Sequence, residues 1–74
     1  MREKLLQILK EEHPEIDFSS DSLVDDGILD SVLITEIIAH IAMEFDVTIP
    51  YEEIREENFN SVEAMAAMVA RLKK

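Results

Sequence analysis

The chain has 74 residues, 47% of them apolar, and its seventeen acidic against seven basic side chains give a formal net charge of −10. That length bounds it to one small domain, and with no cysteine it has no disulfide, thiolate metal site or thiol nucleophile. The charge excludes nucleic acid as a partner and favours basic patches on other proteins.

Met1-Arg2-Glu3-Lys4 leads into an amphipathic segment broken by acids, with neither the apolar core of a signal peptide nor the length of a membrane span. A cytoplasmic protein with no membrane insertion is expected. Leu5, Leu6, Ile8 and Leu9 cluster on one face of a first helix over about residues 2–12. Pro14 ends it, because the residue before a proline is pushed out of the α region. The following loop, 13–30, is long, yet Ile16, Phe18, Leu23, Val24, Ile28 and Leu29 recur along it and are expected to pin it to the core. A long loop held in this way is more often functional than filler.

Asp30 is suited to cap a second helix over about 31–45, which places Ser31 in the first turn, among unpaired N–H donors. An anion attached to that hydroxyl would be favoured there. At about 100° per residue, Ile34, Ile37, Ile38, Ile41 and Phe45 form the core stripe, and Val32, Glu36, Ala39, His40 and Met43 the outer face. Asp46-Val47-Thr48-Ile49-Pro50 breaks the pattern. Pro50 can occupy the first position of a short third helix over about 51–56, with Glu52 and Glu53 in its first turn. Asn60 is expected to cap a fourth helix over about 61–72, with Glu63 reaching back as in a capping box. Val62, Met65, Ala66, Val69 and Leu72 line its inner face, and Arg71, Lys73 and Lys74 suit its C-terminal dipole. The expected fold is all-α: one four-helix bundle with a long ordered loop between the first two helices and a short third helix.

The acidic loop does not make a calcium hand. That motif needs glycine at its sixth position and glutamate at its twelfth, and counting from Gly27 puts Val24 third and Leu33 twelfth. Asp21, Asp25 and Asp26 read instead as a turn and a solvated charge cluster. His13 and His40, on separate elements, form no metal-ligand spacing and read as surface residues, with Glu36 and His40 four apart and able to pair weakly. Met65 and Met68 are gap-fillers, whereas Met43 lies on the outer face with Ala39 and Val32, a small apolar patch near Ser31. No acid–base pair, nucleophile–base pair or metal set is visible, so an enzyme is not expected.

From Leu23 onward the chain resembles the acyl carrier protein family. The matching residues are Leu23-Val24-Asp25-Asp26-Gly27-Ile28-Leu29-Asp30-Ser31, then Glu36, then Glu44-Phe45-Asp46-Val47-Thr48-Ile49-Pro50, and more weakly Glu57-Asn58-Phe59-Asn60-Ser61-Val62. The Asp-Ser pair alone is weak; with the downstream residues at this spacing it is strong. The resemblance implies that Ser31 carries 4′-phosphopantetheine, transferred from coenzyme A by a Mg²⁺-dependent phosphopantetheinyl transferase. Asp30 would then help place the serine and contact the transferase's metal. It implies a free-standing, monomeric carrier that holds an acyl or aminoacyl group as a thioester and presents it to a loading enzyme and to downstream transferases or synthases. The docking residues it implies are Val32, Leu33, Glu36, Ala39, His40, Met43, Glu52 and Glu53. Fatty-acid carriers usually show acids just after the serine and along the outer face of the second helix, where this chain has Leu33, Ala42 and Met43. The Asp-Gly-Ile-Leu-Asp-Ser form looks closer to D-alanyl and free-standing biosynthetic carriers. The competing reading is an unmodified four-helix module that binds a partner through the same face.

Overall fold

The apolar run after Asp30 becomes the longest helix of the computed structural model, which describes residues 1–73. Helix α1 spans Arg2–Glu12, α2 Ser31–Phe45, α3 Glu56–Phe59 and α4 Val62–Leu72, with a 3-10 turn at Tyr51–Glu53 ahead of α3. The described residues form no strand, and the architecture is the expected helical bundle.

Each element gives apolar residues to one core. Leu5 and Leu9 come from α1, Ile37, Ile41 and Phe45 from α2, Phe59 from α3, and Val62, Met65, Met68 and Val69 from α4. The loop between α1 and α2 adds Phe18, Leu23 and Leu29, all buried. At about 1.5–3 kcal/mol for each large side chain removed from water, these three account for the loop's order without secondary structure of its own. The end of α2 is fixed by Asp46, in the left-handed conformation at φ 53°, whose N–H donates to Ala42 O. Lys73 Nζ donates to Phe45 O at 3.0 Å, giving a last-turn carbonyl a cationic partner.

Three expectations are corrected. The single third helix over 51–56 is instead a 3-10 turn, a break at Ile54 and Arg55, and then α3, with Pro50 extended ahead of the turn. Side chains have taken the carbonyls that the next helical turn would use: Arg55 Nε donates to Glu52 O at 2.8 Å and Asn58 Nδ2 to Glu53 O at 2.7 Å. The cap of α4 is Ser61, whose Oγ accepts from Ala64 N at 3.0 Å. Asn60 has helical dihedrals, unsuited to a cap, and its amide is committed to the loop. With the cap one residue later, Glu63 no longer occupies the capping-box position and pairs with Arg2. Lys74 lies outside the described residues.

Candidate functional site

The approach to Ser31 is built from the far side of the chain. Asn60 Oδ1 accepts from Val24 N at 2.9 Å and Asp25 N at 3.0 Å, its Nδ2 donates to Asp25 Oδ2 at 3.3 Å, and its own carbonyl accepts from Leu23 N at 2.9 Å. The loop then turns on itself. Asp26 N donates to Ser22 O, Gly27 N to Val24 O, and Leu29 N to Leu23 O. Gly27 adopts φ +75°, in the left-handed region open to a residue without Cβ. Leu23 and Leu29 anchor this turn in the core, so Asp30 and Ser31 are delivered at a fixed height on the surface.

Asp30 is extended and its Oδ1 accepts from Leu33 N at 2.8 Å, while its carbonyl accepts from Ile34 N at 2.9 Å. The N–H groups of Ser31 and Val32 have no intrahelical acceptor. The first turn of α2 holds no acidic residue. Ser31 is exposed, and a shallow groove beside it is lined by Ser31, Val32, Thr35 and Glu36. Thr35, one turn on from Ser31, returns its hydroxyl to Ser31 O at 2.8 Å. The residues present therefore fit an anionic group linked through Ser31: an open hydroxyl, free N–H donors and the positive end of a 15-residue helix.

Along the outer face of α2, Val32 is 64% exposed and Met43 81%, with Glu36 and Ala39 also exposed between them. Leu33 is half-buried and packs on the core. Glu52 is exposed, but Glu53 is not free: Arg71 donates to it at 2.6 Å and Asn58 at 3.0 Å. The Arg71 hydrogen bond holds the Glu53 carboxyl below the usual glutamate range. Tyr51, 87% exposed in the turn after α2, is a large apolar surface that sequence reasoning did not single out. Thr35 was missed too, although its spacing of four from Ser31 places it on the same helix face.

The histidines correct the sequence reading most. His13 is buried at the C-terminal cap of α1, and His40 is half-buried against it, with ring centroids 5.9 Å apart. His40 Nε2 faces Glu12 at 3.5 Å rather than Glu36, and Glu36 instead lies 3.9 Å from His13 Nε2. The end of α1 packs against α2 at this point, so residues that looked unrelated in sequence share one cluster.

Comparison with known proteins places the chain in a family. Residues 1–69 match the model of the phosphopantetheine attachment site family. The chain belongs to that family. It is therefore a carrier rather than an enzyme: it bears a covalent 4′-phosphopantetheine and is modified by a phosphopantetheinyl transferase, and the reading as an unmodified module is not favoured. It is 42% identical over 57 residues to aminoacyl carrier protein 2 of Bradyrhizobium diazoefficiens, covering 77% of this chain but 57% of that protein. It is 28% identical over 74 residues to the D-alanyl carrier protein of Streptococcus suis, covering 97% of this chain and 94% of the relative. No solved structure matches. No helix among the described residues is long and apolar enough to cross a membrane.

Proposed function

We propose that Ser31 is the attachment residue and that the cargo is an amino acid. The observation that carries the first point is the exposed Ser31 hydroxyl directly after the Asp30 cap, at the positive end of α2 and beside an open groove. The arm's phosphate would be held by the unpaired N–H groups of the first turn, and the group supplies a thiol that the chain itself lacks. Asp30 keeps one carboxylate oxygen on Leu33 N, leaving the other to contact the transferase's metal. The aminoacyl cargo is supported by the names of the two relatives, an aminoacyl and a D-alanyl carrier protein.

Docking uses the outer face of α2. Val32, Ala39 and Met43 are its apolar contacts, with Leu33 as a half-buried border and His40 at the edge toward α1. Glu36 and Glu52 are its open acids, while Glu53 contributes only if Arg71 releases it. The test is incubation with coenzyme A and a promiscuous phosphopantetheinyl transferase, read by intact mass. One arm is expected on the parent chain and none on Ser31→Ala; an arm on the Ser31→Ala chain would overturn the assignment. Loading assays that offer amino acids and fatty acids to the cognate adenylating enzyme then decide the cargo.

A further inference from the structure

His13 is the buried polar residue of the described core, 6% exposed, and its Nε2 has no hydrogen-bond partner. The groups facing it come from three elements. From α2, Glu36 Oε1 lies 3.9 Å from Nε2 and the His40 ring stands edge-on with centroids 5.9 Å apart. From the loop, Glu15 Oε2 lies 3.8 Å from Nδ1, and from the end of α1, Glu12 reaches His40 Nε2 at 3.5 Å. Both His13 nitrogens thus face carboxylate oxygens from just beyond hydrogen-bonding distance.

A neutral imidazole can satisfy only one of those two carboxylates, because its second nitrogen carries a lone pair. Adding one proton turns both nitrogens into donors, with carboxylate oxygens 3.8 and 3.9 Å away. Charge-assisted bonds of this kind are short, about 2.7–2.9 Å, so protonation gives Glu36 reason to move inward. Glu36 is also the acid in the middle of the exposed face of α2. We propose that His13 is a positioning residue for Glu36: the protonated ring draws the Glu36 carboxylate in against the end of α1, and the neutral ring releases it to the surface. The carrier then meets a basic partner more slowly as the medium acidifies, without any change in fold. The regulatory part of this proposal rests on reading Glu36 as a docking acid.

The test follows the carboxyl carbon of Glu36 by NMR of the whole ¹³C-labelled chain, as the medium is acidified from about pH 8 to about pH 6. The Glu36 signal is expected to move in the parent and in His40→Gln, and to stay in place in His13→Gln. A Glu36 signal that stays put in the parent, or that moves equally in His13→Gln, overturns the proposal. Should His13→Gln lose its fold, the exposed substitution Glu36→Gln serves instead: the pH profile of the His13 ring signal is expected to change, and an unchanged profile overturns the proposal. Arm-transfer kinetics separate the two readings. The slowing caused by Glu36→Gln, taken as a ratio to the parent at each pH, is expected to be about threefold greater at high than at low pH. A ratio near one at both pH values, with the NMR response intact, would refute Glu36 as a docking acid and leave its positioning by His13 standing.

Discussion

Replacing Asn60 by Ala removes the acceptor shared by Val24 N at 2.9 Å and Asp25 N at 3.0 Å, together with the amide donor to Asp25. Each backbone bond contributes roughly 0.5–1.5 kcal/mol net, and somewhat more where the orphaned group stays shielded from water. Asp25 is exposed and can recruit water, whereas Val24 is half-buried and cannot do so freely. A loss of about 2 kcal/mol follows for the pair. A domain of this length holds only about 4–11 kcal/mol in all. The corresponding fall in Tm is roughly 8–16 °C. Urea denaturation followed by circular dichroism measures the total, and native-state hydrogen exchange locates it. The amides of Val24, Asp25 and Leu29 should exchange faster than in the parent, beyond what global destabilisation explains, while those in the middle of α4 follow the global change. Asn60→Asp retains the acceptor but opposes Asp25 with a second carboxylate, so its penalty should shrink as salt is raised. An Asn60→Ala chain within about 0.5 kcal/mol of the parent, with unaltered exchange at Val24 and Asp25, would refute the view that Asn60 holds the Ser31 approach in place.

Ser31→Ala should leave Tm almost unchanged, because the capping bond belongs to Asp30, while abolishing the mass gain on incubation with coenzyme A and transferase. On the docking face, Met43→Asp should chiefly speed dissociation from the loading enzyme, since apolar burial stabilises the bound state. Glu36→Lys should chiefly slow association and reduce its salt sensitivity; the reverse pattern in stopped-flow would show a face governed by charge. Added salt should raise Tm by screening the net charge of −10. Mg²⁺ should do little more at equal ionic strength, because no group of three metal-ligating side chains forms among the described residues. Hydrogen bonds from Arg71 and Arg2 hold Glu53 and Glu63 below the usual glutamate range. A depressed folded-state value stabilises fully above the unfolded value, and that contribution is lost as pH falls through the folded-state value. Glu53→Gln and Glu63→Gln should therefore soften the decline in Tm on acidification below about pH 4.

What could be read from the sequence was what depends on neighbours in the chain. The Asp30 cap, the apolar stripe of α2 and the helical fold class all follow from local chemistry and a 3.6-residue period. The errors share the opposite cause. Nothing near Asn60 indicates that its amide closes on residues 24 and 25, so local chemistry made it a cap and displaced Glu63 into a capping box. The third helix failed because Arg55 and Asn58 compete for backbone carbonyls, a contest that propensity does not register. His13 and His40 looked unrelated because the contact between them is made by packing α1 on α2, which no spacing encodes. The outward phase of Val32 and Met43 needed only periodicity; that Glu53 is tied to Arg71 required the folded chain.

The bond from Lys73 Nζ to Phe45 O places the C-terminal end of the described chain beside the last turn of α2. Ser31 begins the same helix, and fifteen residues at 1.5 Å each separate the two ends by about 22 Å. A tether attached through Lys73 would therefore leave from the pole opposite the serine. The protein could be fixed to a bead, a sensor surface or a fluorescent reporter by that end, with the serine still turned toward solution.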